Sequence, residues 1–436
     1  MARLNTPVRS NPVHTHEGAK ASRVNPNEQL RRSVLSCLLW ENTFYESGES
    51  IADRISNTAD KCSPEFVSAL AKEARNQYRL RHAPLWLCMS LIRRGGKLAG
   101  QTLTDVIQRP DEITEALSMY WKDGKRPLSK QLKIGLANAF NKFDEYQLAK
   151  YNRDPAIKLR DALFMVHAKP KDDAQGEIFK RLVNNQLAIP ETWEVKLSGG
   201  QNKAEAFTDL LKRNKLGYMA LLRNLRNMHE AGVDRALVKE KILAGASKSK
   251  ALPFRFLSAA KAAPSFEAEL DLAMQQSVSE MPKLSGTTVL LVDVSTSMSW
   301  SGVSEKSDLT RIDAAAALAA LAREVCEDCF IYMFATGMAE APARRGMALI
   351  DAIKRNVGGG TNMGGAVAYI NENVKCDRLI VVTDEQSRTP VPNPVAKGYI
   401  LNVATFENGV GYGPFTHING WSEQSIRYIQ ETEGSD

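Results

Sequence analysis

The sequence predicts an α-solenoid joined to a doubly wound α/β domain. Three observations carry the prediction. From about Glu28 to Leu284, apolar residues recur every three or four positions, the period of helices that bury one face. Proline and glycine interrupt this pattern so that helices of roughly 10–20 residues follow one another, which fits stacked helix pairs. After Pro282 the pattern changes to unbroken apolar runs separated by helices, the mark of parallel strands covered on both faces.

Taken in order, residues 1–26 are polar, contain prolines and lack the apolar core of a signal peptide, so a disordered arm is expected. Residues 27–283 form the helical domain. Leu30, Val34 and Leu38 share one helix face, Phe66 and Leu70 a second, and Leu132, Leu136 and Phe140 a third. Breaks fall at Pro64, Pro84, Gly95–Gly96, Pro110, Pro127, Pro155, Pro170 and Pro190, among others. No clean period emerges, so the solenoid rests on rhythm, and an irregular helical domain is the alternative. Residues 284–436 form the α/β domain. Thr287–Val292, Cys329–Ala335, Arg378–Thr383 and Tyr399–Ala404 read as strands. The small residues of RIDAAAALAALAREV would let a helix lie close to the sheet. Ala348–Arg355, Met363–Val374 and Ser422–Glu431 read as further helices. Ligands of such sheets sit beyond the carboxyl ends of the strands.

A chain of 436 residues has room for two or three domains, and 43% hydrophobic with 25% charged residues is ordinary globular composition. The longest small-apolar run, Ala314–Ala322, is well short of the ~20 residues of a membrane span. A cytoplasmic, monomeric protein with no membrane contact is expected. The six cysteines are scattered. Cys326 and Cys329 make a C-x-x-C, but no further Cys or His stands at zinc-site spacing, so buried free thiols are expected.

The net charge of +7 is unevenly divided. Residues 284–436 hold 12 basic and 18 acidic side chains, a balance of −6, which leaves +13 on residues 1–283. The basic part points to a polyanion and the acidic part to a cation or a protein. Arg126, Lys130 and Lys133 follow one another at spacings of four and three, so they share a helix face. Lys150, Arg153, Lys158 and Arg160 come next, then His167 and Lys169. An earlier stretch carries Lys72, Arg75 and Arg79 at similar spacing, followed by Arg81 and His82. A single helical lysine is ordinarily a solvated face. Together, on a region of this charge, these residues favour phosphate contact. Tyr45, Tyr78, Trp86 and Trp121 could stack on unpaired bases, although Trp86 sits in an apolar run that reads as core. By its position at the end of DALFMVHAKP, His167 reads as a structural helix terminus.

Near the C-terminal end, Asp293, Ser295 and Ser297 stand at alternate positions where the first buried strand runs into its loop. A glycine run, Gly358–Gly360, precedes Thr361, and the strand ending Val382-Thr383 is followed by Asp384. Two carboxylates and three hydroxyls make an all-oxygen set suited to a hard divalent cation such as Mg²⁺. D-x-S-x-S alone is common turn chemistry. Its place after a buried strand, with distal Thr and Asp at matching places, is what makes it a candidate metal site. The alternative is a sheet whose hydroxyls only cap a helix.

The region from Leu284 onward resembles von Willebrand factor A domains. That resemblance implies direct ligation by the two serines, with Asp or Thr ligands acting through water. It also implies an open coordination position for an acidic group of a partner. The basic helical part, through EQLRRSVLSCLLWENTFYESG, AKEARNQYRLRHAPLWL, GKRPLSKQLKIGLANAF and LRDALFMVHAKP, followed by LLVDVSTSMS, resembles the Ro autoantigen family, whose helical part is called the TROVE domain. The likeness runs from about residue 27 to the end. It implies HEAT-like repeats closed into a ring, with the A domain sealing it. It further implies an outer surface for small structured noncoding (Y) RNAs and a central hole for single-stranded ends of misfolded RNAs. RNA quality control, stress survival and, in bacteria, delivery of RNA to an exoribonuclease follow as expectations. Residue by residue, His167 matches the family's RNA-contacting histidine, which replaces its structural reading. Arg126, Lys130 and Lys133 match the basic helix, and Lys150 the K-Y stretch. Two departures stand out: the chain is shorter than animal members, and Asp384 is followed by Glu385-Gln386-Ser387, more acidic than a neutral loop.

The expected function is therefore that of a non-enzymatic RNA-binding scaffold with a docking or structural metal point. A metal-dependent adaptor that docks an acidic protein is the alternative. No second metal cluster or placed general base supports a hydrolase.

Overall fold

The computed structural model describes residues 13–15, 18–23, 25–36, 47–152, 156–188, 193–198, 202–249, 251–300, 302, 309–403, 410–419, 426, 429, 430 and 433. The chain divides into two compact units. A helical unit comprises 33–40 and 49–245, and a sheet unit comprises 1–32, 41–48 and 246–436.

In chain order the first elements are β1 (Val13–His14), β2 (Lys20–Arg23), α1 (Pro26–Ser36), α2 (Gly48–Ala59), α3 (Pro64–Asn76), α4 (His82–Arg94), α5 (Lys97–Val106) and α6 (Asp111–Tyr120). There follow α7 (Lys130–Phe140), α8 (Glu145–Tyr151), α9 (Leu159–Val166), α10 (Asp173–Val183), α11 (Trp193–Ser198), α12 (Lys203–Lys212), α13 (Tyr218–Glu230) and α14 (Arg235–Ala246). Within the helical unit, α3, α5, α7 and α9 pack successively in one row, while α4 packs on α6 and α6 on α9. Each turn starts where the sequence changes chemistry. Ser63 caps α3 ahead of Pro64, Ser129 caps α7, and Asp144 with Gln147 closes a capping box on α8. The α5–α7 crossing is close because it has no side chain in the way. A Cβ on Gly135 would lie 2.8 Å from the Gly100 carbonyl oxygen.

The sheet unit contains α15 (Pro253–Ala262), α16 (Glu267–Val278), β3 (Leu284–Asp293), α17 (Thr296–Trp300), α18 (Arg311–Val325), β4 (Cys326–Phe334), β5 (Met338–Glu340), α19 (Gly346–Lys354), α20 (Met363–Asn373), β6 (Arg378–Thr383), β7 (Lys397–Asn402), β8 (Val410–Gly411) and β9 (Thr416–Asn419). Strand order is β5-β4-β3-β6-β7-β9, parallel throughout except for the antiparallel edge strand β5. Val289 and Leu291 of β3 and Leu379 and Val381 of β6 pack with Met363, Val367 and Ile370 of α20 on one face. Alternation turns Leu290, Val292, Ile380 and Val382 to the other face. There the alanine-rich α18, buried along nearly its whole length, lies against β3 and β4. The chain leaves β3 for β4 on one side and returns to β6 on the other. The carboxyl ends of β3 and β6 therefore flank the switch point where doubly wound sheets bind ligands.

Two boundaries differ from the sequence reading. The division drawn at 283/284 moves to 245/246, because α15 packs on α18 and α16 on α19. The arm drawn over 1–26 is in part built into the sheet unit: β1 pairs with β2, β2 pairs with β8, and the buried Thr15 hydroxyl donates to the Ser387 carbonyl at 2.6 Å. Backbone pairing across nearly 400 positions leaves no local hydrophobic trace. The closing helix expected over Ser422–Glu431 lies largely outside the described residues, as do Tyr45 and Arg153. Cys326 and Cys329 are free thiols in β4. The two thiols are close enough to share a hydrogen bond, and no disulfide joins them.

Candidate metal centre and nucleic-acid interface

The oxygen-donor set converges at the switch point. Asp293 ends β3, and Asp384 directly follows β6. Both are fully buried. The Ser295 backbone N–H donates to Asp293 Oδ1 at 2.8 Å, and the Thr383 hydroxyl donates to Asp293 Oδ2 at 2.6 Å. The Ser297 hydroxyl donates to Asp384 Oδ2 at 2.5 Å and lies 3.2 Å from the Ser295 hydroxyl. Asp293, Ser295, Ser297 and Asp384 are thus linked by one chain of contacts across two strands.

Thr361 arrives on the glycine loop. Both the amide and the hydroxyl of Thr296 donate to the Gly359 carbonyl at 3.1 Å, and the Gly358 amide donates to the Val294 carbonyl at 2.9 Å. Gly359 has φ +80°, and a Cβ there would meet the Thr336 hydroxyl at 2.5 Å, so only glycine makes this approach. Thr361 is buried, and its hydroxyl has no hydrogen-bond partner among the described residues.

The chemistry of this set fits a hard divalent cation. Burial pushes Asp293 up to about 7, and the facing charge of Asp384 adds to the rise. Two buried carboxylates side by side call for a positive charge between them. The donors are oxygen throughout, and one hydroxyl is left without a protein partner. Among the described residues no group of three or more His, Cys, Asp or Glu side chains is assembled to hold a metal, so the hydroxyls are essential to the set.

The residues around it were less visible in sequence. Glu385 follows Asp384 with φ +63° and is buried. Burial raises its carboxyl, but the Arg32 charge and then His417 hold it below the usual carboxylate range. Arg32 Nη1 lies 2.7 Å from Glu385 Oε2, His417 Nδ1 lies 2.6 Å from Oε1, and Asn402 donates to Oε2 at 2.8 Å. Thr383 is visible in the sequence only as the last residue of an apolar strand. Arg32, Asn402 and His417 carry no local signal, because only the fold brings them to the loop.

The basic residues of the helical unit fall into two groups. Arg126, Lys130, Lys133, Lys150 and His167 make no ion pair among the described residues. Arg126 is exposed and stacks over the Tyr120 ring at 4.3 Å, in a segment pinned by the Tyr120 hydroxyl on the Pro127 carbonyl and Trp121 Nε1 on the Arg126 carbonyl. Lys130 and Lys133 lie on the first turn of α7, and Lys150 ends α8 between the rings of Tyr146 and Tyr151. His167 caps α9 in the left-handed conformation, φ +53°, with its ring exposed one turn beyond the 58% exposed Phe164. The five do not converge. α7 and α9 pack together, but the α7 cap Asn141 donates to the Lys169 carbonyl at 2.9 Å, so the His167 loop meets the far end of α7. Lys133 is eight residues, about 12 Å, up the helix from that point. Positive charges spaced in this way suit several phosphates rather than one anion.

In the earlier basic stretch Arg79 is exposed, but Lys72, Arg75 and Arg81 are paired. Arg75 is buried; its Nη2 holds Glu112 Oε1 at 2.6 Å and its Nε donates to the Val106 carbonyl at 3.1 Å. Lys72 pairs with Asp105 at 2.7 Å, and Arg81 with Asp111 at 2.7 Å. Trp86 is core, its Nε1 donating to the Ala52 carbonyl at 3.0 Å.

Together the two units define a helix-rich protein with a mixed sheet whose parallel switch point carries an oxygen-donor site. Comparison narrows the class. Residues 179–323 match the TROVE domain family. Telomerase protein component 1 of Rattus norvegicus is 38% identical over 299 residues, covering 48% of this chain and 11% of that protein. Its Mus musculus counterpart is 39% identical over 90 residues, covering 20% of this chain and 3% of that protein. The chain thus spans about a tenth or less of the length of these relatives. The crystal structure of the Deinococcus radiodurans Ro (RSR) protein superposes with a TM-score of 0.63 at 17% identity, covering 93% of this chain and all of that one, which shows a shared fold. The resemblance to the TROVE-domain, Ro-like family read from the sequence is borne out. The matched residues lie C-terminal to the four helical segments on which that reading rested and run into α18.

Proposed function

We propose that this chain is a non-catalytic RNA-binding scaffold. The observation that carries the reading is a set of basic residues on and beside α7, α8 and α9: among the described residues Arg126, which precedes α7, and Lys130, Lys133, Lys150 and His167 have no carboxylate partner, while Lys72, Arg75 and Arg81 are paired. Its match to a family of RNA-binding proteins supports it. The RNA we propose is small and structured, of the Y-RNA kind, with single-stranded ends of misfolded RNAs as a second class. The setting is RNA quality control or stress response in the cytoplasm, with an exoribonuclease as a downstream partner. Closure of HEAT-like repeats into a ring around the single-stranded end belongs to the same proposal.

The oxygen-donor edge is proposed to hold Mg²⁺ through Asp293, Ser295, Ser297, Thr361 and Asp384. When bound, the cation would offer a coordination position to a carboxylate of a protein partner. The protein's own groups preset that position: Thr383 and the Ser295 amide fix Asp293, and Ser297 aligns Asp384. The second reading, a metal-dependent adaptor, draws on this edge and on the acidic balance of residues 284–436.

Filter binding of a structured RNA and of a single-stranded oligonucleotide at rising salt tests the first reading. Affinity through several phosphates falls steeply with log salt, by about 0.7–0.9 per contact. A flat response would overturn the polyanion reading. In the Asp293→Ala variant, the shift of melting temperature on adding Mg²⁺ should vanish while RNA affinity stays within about twofold, since the oxygen-donor set and the basic residues belong to different compact units. A large RNA defect in that folded variant would favour RNA at the metal edge instead.

A further inference from the structure

We propose that Arg32 and Glu385 are positioning residues for the metal site: their buried pair clamps the backbone after Asp384 and so aims the Asp384 carboxylate. This inference rests on the proposed metal reading. It begins with a backbone that should not hold itself. Glu385 has φ +63°, a left-handed conformation unfavourable for a residue with a long side chain, and it persists only where the surroundings impose it. Those surroundings are on the page. The side chain is held by Arg32, His417 and Asn402, and the Tyr412 hydroxyl donates to the Glu385 carbonyl. On the other side the Glu385 amide donates to the Thr383 hydroxyl at 3.2 Å, the same hydroxyl that donates to Asp293. Asp384 therefore sits between two pinned residues, and its Oδ1 accepts from the Gln386 amide at 3.3 Å, which sets the carboxylate's rotation.

The pair is poorly explained as a source of stability. Side chains of Arg32 and Glu385 are 3% and 1% exposed. Desolvating two charges offsets most of their attraction, and apolar pairs of similar volume often replace buried ion pairs without loss. What the pair supplies is direction. Arg32 Nη1 reaches Glu385 Oε2 at 2.7 Å and His417 Nδ1 lies 2.6 Å from Oε1, so the one Glu385 carboxylate ties α1 and β9 to the metal loop. Groups one bond behind the ligands commonly tune metal affinity by about 10- to 100-fold.

Calorimetric titration of the full chain with Mn²⁺ and Mg²⁺ tests this, with circular dichroism as a check on folding. The double variant Arg32→Met/Glu385→Leu removes both charges together and is expected to fold and to bind Mn²⁺ about 10- to 100-fold more weakly than the unaltered chain. Arg32→Lys keeps the charge but loses the planar guanidinium that fixes the direction of the pair; it is expected to weaken binding by a smaller factor and decides the matter if the double variant does not fold. A folded variant with unaltered Mn²⁺ affinity would show that the pair is only structural and would overturn the proposal. If the unaltered chain binds neither ion, the metal reading itself falls, and this inference with it.

Discussion

Two basic stretches of the helical unit look alike in sequence and use their charges differently. Around α3 and α4, Lys72, Arg75 and Arg81 each face a carboxylate supplied by α5 or α6. Around α7 to α9, Arg126, Lys130, Lys133 and Lys150 face rings or solvent. The difference lies in the neighbours. The N-terminal turn of α6 carries Asp111 and Glu112, with Glu115 one turn on, an acidic socket for the preceding helices. The first turn of α7 has no acidic residue at all. A positive helix N-terminus bearing two lysines opposes the macrodipole, so the arrangement works against local stability and in favour of an anion. Partnering, rather than charge count, separates a structural basic stretch from a binding one.

This contrast can be broken in four ways. Arg75→Met should have the largest effect, because it leaves buried Glu112 with only the Arg81 guanidinium at 3.7 Å; a loss of about 3–5 kcal/mol in urea unfolding is expected. A loss near zero would mean that the first stretch is not structural. Next, Lys130→Ala/Lys133→Ala/Lys150→Ala should lower RNA affinity by about 10- to 100-fold near physiological salt and flatten its salt slope, with little change in unfolding. Lys72→Ala serves as the matched control, and equal RNA defects in both would erase the distinction. Third, His167→Gly separates stability from binding at one residue. Glycine relaxes the left-handed cap, so stability should hold or rise by roughly 0.5 kcal/mol while RNA affinity falls. If affinity is unchanged, His167 is only a cap.

The smallest effect concerns pH. Burial pushes Glu115 up to about 7 in spite of the Arg81 charge. A carboxyl raised in the folded state favours folding when protonated; that contribution is complete below its ordinary value of 4.5 and is lost as pH rises through 7. Glu115→Gln fixes the neutral form. Its melting temperature should exceed that of the unaltered chain above pH 7, and the gap should close toward pH 4.5. A gap that widens on acidification would contradict the assignment.

The doubly wound order was legible because buried strands such as Arg378–Thr383 leave unbroken apolar runs, and the strand read over Arg378–Thr383 has those same bounds in the structure. The convergence of the oxygen donors was legible for the same reason, since D-x-S-x-S and Asp384 sit where such runs end. β5 and β9 were not, being short edge strands with exposed positions. Nor was the fate of the first basic stretch. Lys72 and Lys130 are indistinguishable by spacing, and only the approach of α5 and α6 decides which finds a carboxylate. Arg32, His417 and the pairing of β2 with β8 were invisible because their partners lie hundreds of residues away.

That last separation has a consequence in time. Arg32 and His417 are 385 positions apart. At the usual pace of synthesis, on the order of 5–20 residues per second, the ribosome needs roughly 20–80 s to travel from one to the other. During that interval the whole helical unit has emerged and can fold, while residues 13–32 wait without β8, β9 or the loop after β6. The segment that completes the sheet unit is therefore made before the rest of that unit and is among the last docked. A nascent chain stalled before residue 410 should leave it open to protease, and synthesis through β9 should protect it.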